Sequence, residues 1–309
     1  MTINHKHKLA FIVPTKDRRD DLRRLFASLE GESDLISQIV LVDGGDDMVE
    51  DLAREYGSLP IDYIRCYPPG FTKQKNTGAK ALKVEMTLVG YLDDDLELGP
   101  GAVQELMRFW GEAAPDVGGT AMNITNAVVD KPNFFTKLFG TNSEHQGIVL
   151  KSGVNVVVDP VVADTEVEWL CGGATVWRRE IIEKYEHDEW FAGYGHMDDM
   201  DFSLAVGGDY KMFVLRDAKC AHYDKPIVGR KNYVFGIYDT VNRHYLVKKY
   251  PQRFSISAYY WATTGKFFGR LTRAVIKRDR DSWLRAKGNF IGLVKVMTGQ
   301  VGLSDTNIK

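Results

Sequence analysis

Cysteine is scarce in this sequence. Three residues, Cys66, Cys171 and Cys220, are spread over 309 positions, and no two of them form a CxxC pair. An odd number with such spacing argues against a disulfide framework and against a zinc cluster. We therefore expect a protein of a reducing compartment.

Long apolar runs are also absent. No stretch approaches the roughly 20 apolar residues that cross a bilayer, and the first residues do not form a basic and apolar leader. These absences predict a protein that is cytoplasmic or peripheral on the inner face of the cytoplasmic membrane. The hydrophobic content of 44% is high enough for a large core, which excludes disorder over most of the chain.

The charges are unevenly distributed, although the net charge is only -2. Residues 225–309 contain 17 Lys and Arg against 4 Asp and Glu, whereas residues 1–224 contain 23 against 38. This asymmetry suggests a catalytic body followed by a tail that meets an anionic partner; the alternative is a solvated helical surface. The tail has no base-reading or zinc motif, so nucleic acid is not an expected partner.

The first hundred residues alternate between short apolar runs and amphipathic stretches. The apolar runs, which predict strands, are residues 8–14, 36–45, 61–67 and 86–93. The amphipathic stretches, which predict helices, are residues 20–30, 48–57 and 72–85. This order indicates βαβ units and a mostly parallel sheet, whose ligands bind at the carboxyl ends of the strands.

The rest of the chain has a different pattern. A helix near residues 100–114 is followed by strand-like runs with longer connections, at residues 118–126, 147–158, 167–179 and 210–223. From about residue 232 the chain becomes helical, basic and aromatic. The pattern predicts a mixed sheet followed by a helical extension.

An acidic cluster ends the fourth predicted strand. Side chains alternate along a strand, so Asp93 and Asp95 should face one side, and Asp94 should point away into structural hydrogen bonds. Two carboxylates suit Mg²⁺ or Mn²⁺ that also binds a diphosphate. His222, after a later strand, is a candidate third ligand. The alternatives are an exposed acidic turn and a packing histidine.

Two further polar groups stand at predicted helix starts. Asp198 and Asp199 precede an apolar periodic run, where the helix dipole favours an ionised carboxylate that can act as a general base. Lys75 and Asn76 lie where cations and free N–H groups suit a phosphate. The alternatives are an N-cap for the aspartates and ordinary surface positions for the lysine.

Six motifs in order make the chain resemble family 2 glycosyltransferases of the GT-A fold. They are FIVPTKDR, LVDGG, QKNTGAKAL, YLDDDLEL, WLCGGATVWRRE and GHMDDMDFSLAV, within residues 8–245. The resemblance implies an α/β fold with a Rossmann-like mixed central sheet flanked by helices. It implies a catalytic domain at residues 1–230, with a nucleotide-binding half (1–100) and an acceptor-binding half (101–230). Residues 231–309 would form the helical, basic extension.

The resemblance also implies roles for individual residues. Those implied to bind the nucleotide-sugar are Pro14, Thr15, Asp43, Lys75, Asn76, Asp93 and Asp94, with Asp43 on the base or ribose. Asp95 would be the direct metal ligand, helped by His222, while Asp93 would touch ribose or metal-bound water. Asp199 matches the catalytic base, and Gly172, Gly173, Trp190 and Asp198 would lie at the acceptor. A core tryptophan is the alternative for Trp190.

The sequence departs from the family pattern at two places. Asp198 stands where relatives commonly have Glu, which shortens the side chain near the acceptor by one methylene. The turn VDGGDD has one acid, Asp43, before its glycines, where many relatives have two consecutive acids. Neither departure removes a required chemical group.

The implied activity is inverting, metal-dependent transfer of a sugar from a nucleoside-diphosphate-sugar, with a UDP-sugar favoured. The acceptor would be a hydroxyl of a glycan or polyprenyl-linked glycan in polysaccharide or cell-envelope synthesis. A sugar nucleotidyltransferase is a rival, but the first strand lacks its glycine-rich loop. An inactive binding module is another, and it would not need the base Asp199.

The basic extension contains interleaved aromatic residues at 257–278. This composition suits a helix on an anionic membrane face. The alternatives are a packing helix and a dimer interface, so oligomerisation is an open possibility.

Overall fold

The computed structural model describes residues 7–191, 194–225 and 227–301. The strands are β1 (Leu9–Thr15), β2 (Ile36–Asp43), β3 (Ile61–Arg65), β4 (Leu88–Leu92), β5 (Leu96–Leu98), β6 (Val117–Ile124), β7 (Thr165–Val167), β8 (Ala174–Arg178) and β9 (Lys211–His222). The helices are α1 (Arg19–Glu30), α2 (Glu50–Glu55), α3 (Phe71–Lys80), α4 (Ala102–Glu112), α5 (Phe134–Leu138), α6 (Arg179–Lys184), α7 (Asp198–Val206), α8 (Arg230–Lys249), α9 (Ile256–Ile276) and α10 (Arg280–Thr298). Single 3₁₀ turns lie at Ser33–Leu35 and Glu189–Phe191.

The chain divides into two compact units. The first comprises residues 1–128, 159–189 and 198–224, and the second comprises residues 129–158, 190–197 and 225–309. The sequence placed a boundary at residue 230. The structure has a boundary close to that point and also assigns two earlier segments, 129–158 and 190–197, to the C-terminal unit.

The first unit is built on a mixed sheet in the order β3-β2-β1-β4-β8-β6-β9-β5, with β7 beside β9. Strands β1 to β4 pair in parallel, and β8 joins β4 antiparallel. Helices connect the parallel strands, as the alternating sequence pattern predicted. The predicted α/β class with a mixed central sheet is confirmed.

The core explains why the first strands and helix form where they do. All seven residues of β1 are buried, as expected for a central parallel strand covered on both faces. On α1, the side chains at helical spacing that are fully buried are Leu22, Leu25, Phe26 and Leu29. Their burial anchors α1 against the sheet.

Parallel pairing brings the polar ends of these strands to one edge. Thr15, the last residue of β1, is in register with Asp43, the last residue of β2. The neighbouring strand β4 ends at Leu92, one residue before Asp93. The carboxyl edge of the sheet therefore collects the side chains that the sequence singled out.

Residues 147–158 do not form the predicted strand. They fold into a tight hairpin with one isolated bridge, Val149 to Asn155. Gly153 turns the chain with a φ of 73°, a conformation that glycine adopts without strain. The segment is apolar, but the turn at Gly153 divides it into two extended pieces that are each too short to form a strand.

The second unit is mainly helical. Helices α8, α9 and α10 pack against one another, and the ring of Phe139, the residue after the short α5, contacts the ring of Trp261 on α9. Among the described residues, no helix has the length and apolar content that a membrane span requires. The predicted helical, basic C-terminal extension is confirmed.

Candidate active site

Asp93, Asp95 and His222 form a group that could hold a metal ion. One ligand atom from each lies within 4.8 Å of the others. β5 pairs antiparallel with β9 so that Leu96 is opposite His222, and this register sets the imidazole beside Asp95. His222 Nε2 is 2.9 Å from Asp95 Oδ1 and 4.0 Å from Asp93 Oδ2.

Asp94 points away from this group, as expected, although for a different reason. β4 ends at Leu92 and Asp94 and Asp95 lie in a turn, so the alternation of a strand does not fix their directions. Thr15 Oγ1 donates a hydrogen bond to Asp94 Oδ2 at 2.8 Å. Burial raises the pKa of Asp94 to about 7, although Arg18 and Thr15 act against the rise.

Arg18 is a site residue that the sequence reasoning missed. Its Nη1 donates to Asp94 Oδ1 at 3.2 Å and also to Asp95 Oδ2. Burial opposes ionisation of Asp95, but the hydrogen bond from His222 and the charges of His222 and Arg18 outweigh it and hold the Asp95 pKa at about 2. The sequence feature that could have identified Arg18 is a basic residue three positions after the end of β1, at the same edge of the sheet.

The donor set fits a divalent cation. Two carboxylates and one imidazole supply oxygen and nitrogen ligands, which bind a metal in their deprotonated forms. Carboxylates suit both Mg²⁺ and Mn²⁺, while the imidazole favours Mn²⁺.

Asp199 lies in the first turn of α7. Its Oδ1 accepts a hydrogen bond from the N–H of Met200 at 2.8 Å, and its Oδ2 accepts one from the N–H of Gly172 at 3.2 Å. Burial and the charge of Asp198 raise the pKa of Asp199 to about 6, against the lowering effect of Lys75 and the two N–H donors. A carboxylate with this pKa is a better proton acceptor than an exposed aspartate at neutral pH.

Gly172 and Gly173 bring Asp199 and Asp93 to opposite ends of one dipeptide. A Cβ on Gly172 would lie 2.7 Å from Asp199 Cβ, and a Cβ on Gly173 would lie 2.2 Å from Asp93 Oδ2. Antiparallel pairing of β4 with β8 also lets the N–H of Asp93 donate to Gly173 O at 2.7 Å. The candidate base and the metal-ligating group therefore belong to one site, and two residues without side chains make that spacing possible.

A buried charged network lies beside Asp199. Lys75 Nζ donates to Asp198 Oδ2 at 2.8 Å, and His187 Nδ1 lies 2.7 Å from Asp198 Oδ1. Asn76 exchanges two hydrogen bonds with the backbone of His187. Burial opposes ionisation of Asp198, but His187 and Lys75 hold its pKa far below the ordinary value.

This network contains three of the residues that were predicted to bind the nucleotide-sugar or the acceptor. Lys75 and Asp198 are each 1% exposed and Asn76 is 6% exposed, and all three bond to other protein groups. In this conformation they do not present a free group to a phosphate or an acceptor. They instead fix α3 to the start of α7. His187 was missed because a single histidine in an irregular segment carries no pattern.

Asp43 is also engaged within the protein. Its carboxylate is completely buried. It accepts hydrogen bonds from the backbone N–H groups of Gly45 and Val49 and from the hydroxyl of Tyr63, and Arg65 Nη1 lies 2.9 Å from it. The contact of Asp43 with a nucleoside stays a prediction. Pro14 and Thr15, predicted to line the same pocket, are buried at the end of β1.

Trp190 belongs to the second unit, where its ring stacks on Tyr245 with centroids 4.3 Å apart. The side chain is partly exposed. Its contact with an acceptor sugar stays a prediction.

Comparisons with known proteins agree with this fold. Residues 10–158 match the family model described as Glycosyl transferase family 2. No curated protein matches the sequence significantly.

Solved structures share the fold at low sequence identity. TarS of S. aureus (residues 1–349) is 16% identical with a TM-score of 0.51, over 90% of this chain and 78% of that one. The mannosyltransferase PcManGT of Pyrobaculum calidifontis, solved with GDP-Man and Mn²⁺, is 13% identical with a TM-score of 0.57, over 99% and 87%. GalNAc-T7, solved with UDP, GalNAc and Mn²⁺, is 13% identical with a TM-score of 0.55, over 88% and 58%.

Proposed function

We propose that the chain, which belongs to glycosyltransferase family 2, transfers a sugar from a nucleoside-diphosphate-sugar to a hydroxyl group with inversion of the anomeric carbon. The observation that carries this proposal is the placement of Asp199 and the metal-ligating group at the two ends of Gly172–Gly173. A proton acceptor and a diphosphate-neutralising centre are the two elements that such a transfer requires.

The reaction is a single displacement. The acceptor oxygen forms a bond to the anomeric carbon while the bond from that carbon to the diphosphate oxygen breaks, and Asp199 accepts the hydroxyl proton. Attack from the face opposite the leaving group inverts the configuration. A cation held by Asp93, Asp95 and His222 would supply positive charge to the leaving diphosphate.

The donor is proposed to be a UDP-sugar or a GDP-sugar. A uridine donor is the expectation from the family resemblance, and PcManGT is solved with GDP-Man. We propose as acceptor a glycan or polyprenyl-linked glycan of polysaccharide or cell-envelope synthesis, used at the cytoplasmic face of a membrane.

A thermal-shift screen tests the donor and the metal together. We expect one nucleoside diphosphate to raise the melting temperature in Mn²⁺ and to lose this effect in EDTA, since a ligand at a hundred times its Kd stabilises by about 2.7 kcal/mol. The matching nucleoside monophosphate, which lacks the second phosphate, is the control. Equal stabilisation with and without the metal would contradict the proposal. Pyrophosphate-dependent release of a nucleoside triphosphate would instead identify a nucleotidyltransferase.

The second unit supports a membrane surface as the second partner. Trp261, Phe268 and Val275 are exposed and recur every seven residues on α9, so they share one face. Trp283, Phe290 and Met297 repeat the same spacing on α10. We call these six residues the apolar face.

Two neighbouring features favour an anionic bilayer as the occupant of the apolar face. Trp261 Nε1 donates to Leu138 O at 2.8 Å, which joins α5 with its exposed Phe134 and Phe135 to this face. The basic side chains exposed around the α9–α10 turn are Arg273, Lys277, Arg278 and Arg280. Aromatic residues bordered by cations suit the headgroup region of an anionic membrane.

Co-sedimentation with vesicles tests this surface. We expect binding to phosphatidylcholine vesicles that contain phosphatidylglycerol, and a drop of roughly tenfold or more for Trp261→Ser with Phe268→Ser, because each buried aromatic contributes roughly 1.5–3 kcal/mol. Val162→Ser, at an exposed apolar position of the first unit, is the control. The proposed membrane surface would be contradicted if the wild type bound equally well to neutral vesicles. It would also be contradicted if the wild type formed a concentration-dependent dimer that the double variant did not form.

A further inference from the structure

Helices α8, α9 and α10 enclose a cluster of cations around one carboxylate. Lys266 Nζ lies 2.9 Å from Asp239 Oδ1, and Arg270 Nη1 lies 3.3 Å from Asp239 Oδ2. Arg243 Nη1 is 3.5 Å from Asp239 Oδ1. Among the described residues, Asp239 is the only carboxylate paired with any of these three cations.

Arg243 is poorly satisfied for a buried guanidinium. Its side chain is 0% exposed, and neither Nε nor Nη1 has a hydrogen-bond partner among the residues that the structure describes. Nη2 reaches Thr263 Oγ1 only at 3.4 Å, and the Tyr259 ring is 5.7 Å away. Arginine does not lose its proton in proteins, so the charge has to be met by another group.

The cluster therefore contains more positive than negative charge. Three cations against one carboxylate leave an excess in a low-dielectric interior, which is costly unless an anion compensates it. Burial and the charges of Arg243 and Arg270 lower the pKa of Lys266 to about 7, although Asp239 acts against this.

The cluster is open to solvent on the side of α9. The side chains of Lys266 and Arg270 are 21% and 22% exposed, whereas Asp239 and Arg243 lie behind them. An anion that approached from solvent would meet a lysine ammonium and an arginine guanidinium first. This pair of groups is the one that proteins use to bind phosphates.

We infer that the α8–α9–α10 cluster is a binding site for a phosphate-bearing anion, contacted by Lys266 and Arg270 and held by the charge of Arg243. The site lies wholly within the second unit and uses none of the residues proposed for glycosyl transfer. Two sources have the required chemistry, namely a free phosphate or diphosphate and the diphosphate of a prenyl lipid.

The full-length protein is titrated with inorganic phosphate, with pyrophosphate and with farnesyl diphosphate in EDTA, which removes metal-dependent binding at Asp93, Asp95 and His222. We expect a rise in melting temperature of roughly 5 °C near saturation, estimated from mass-action stabilisation of a chain of this size. Lys266→Met and Arg270→Gln should each remove this rise. Lys277→Met, exposed at the end of the same helix, should keep it.

The ligand-free variants separate a binding site from a structural ion network. If the excess positive charge is compensated only when an anion binds, the Lys266→Met variant in chloride buffer should have a melting temperature at or above that of the wild type. A fall of several degrees in that buffer, or no stabilisation of the wild type by any of the three probes, would overturn the inference. Tighter binding of farnesyl diphosphate than of pyrophosphate would identify the lipid source, and equal binding the free anion. Because no donor is present, the result is independent of whether glycosyl transfer is found.

Discussion

Asp199→Asn is expected to lower kcat for sugar transfer by about 10² to 10⁴, the range of a lost general base. The amide keeps the size of the side chain, and its single oxygen can still accept from the N–H of Gly172 or of Met200, which bond to different oxygens of Asp199. It cannot accept the hydroxyl proton. Donor affinity should be nearly unchanged, because the substitution leaves Asp93, Asp95 and His222 intact. Steady-state kinetics with the donor identified by thermal shift measures both quantities.

The pH profile of the wild type supplies an independent signature of Asp199. Its raised pKa of about 6 means that the carboxylate is ionised above that pH and protonated below it. Transfer should therefore be present above pH 6 and fall as the pH drops through about 6, and the residual activity of Asp199→Asn should lack this limb. Asp209→Asn, an exposed aspartate beside Lys184, should keep the wild-type profile. Near-normal turnover by Asp199→Asn would reject the assignment.

Asp95→Ala is expected to abolish metal-dependent transfer. The change removes a carboxylate ligand and also a hydrogen-bond partner of both Arg18 and His222. Mn²⁺ binding, measured by calorimetry or by electron paramagnetic resonance, should be lost together with activity. Retained Mn²⁺ affinity would place the metal elsewhere.

Asp94→Asn is the matched comparison one residue away. Asp94 accepts from Thr15 and Arg18 and is not in the metal-ligating group, so its substitution should lower the free energy of unfolding by about 1–3 kcal/mol through weakened buried bonds. Mn²⁺ binding should persist. The reverse pattern, in which Asp94→Asn loses the metal and Asp95→Ala keeps it, would mean that the turn is misassigned by one residue.

The first half of the fold could be predicted because its signals are local. Leu22, Leu25, Phe26 and Leu29 repeat at helical spacing, and short apolar runs separate the helices, so element type follows from nearby residues alone. The hairpin at 147–158 was mispredicted because a turn at Gly153 determines whether an apolar run can extend as a strand.

The metal-ligating group could be anticipated because parallel strands expose their carboxyl ends at one edge. Asp93, Asp95 and His222 each sit at or just after a strand end, and topology then brings them together. Their partner Arg18 was not identified, because the choice among several polar residues after β1 depends on packing across the sheet.

Burial of charged side chains was beyond prediction. Lys75 looks like an ordinary helix lysine, and only contact with Asp198, 123 positions later in the chain, shows that it is a buried counter-ion. Asp43 likewise appears available in sequence, yet Tyr63 and Arg65 on the adjacent strand occupy it. Such pairings depend on long-range geometry that no spacing encodes.

The central claim is that Asp199 and the group of Asp93, Asp95 and His222 form one inverting, metal-dependent site. Slow hydrolysis of the accepted nucleoside-diphosphate-sugar, with water as acceptor, can be followed by proton NMR that distinguishes the first-formed anomer of the free sugar. We expect that anomer to be opposite to the donor's, to form only with the divalent cation, and to form far more slowly in Asp199→Asn. A product with the donor's own configuration, or the same rate in EDTA, would contradict the claim.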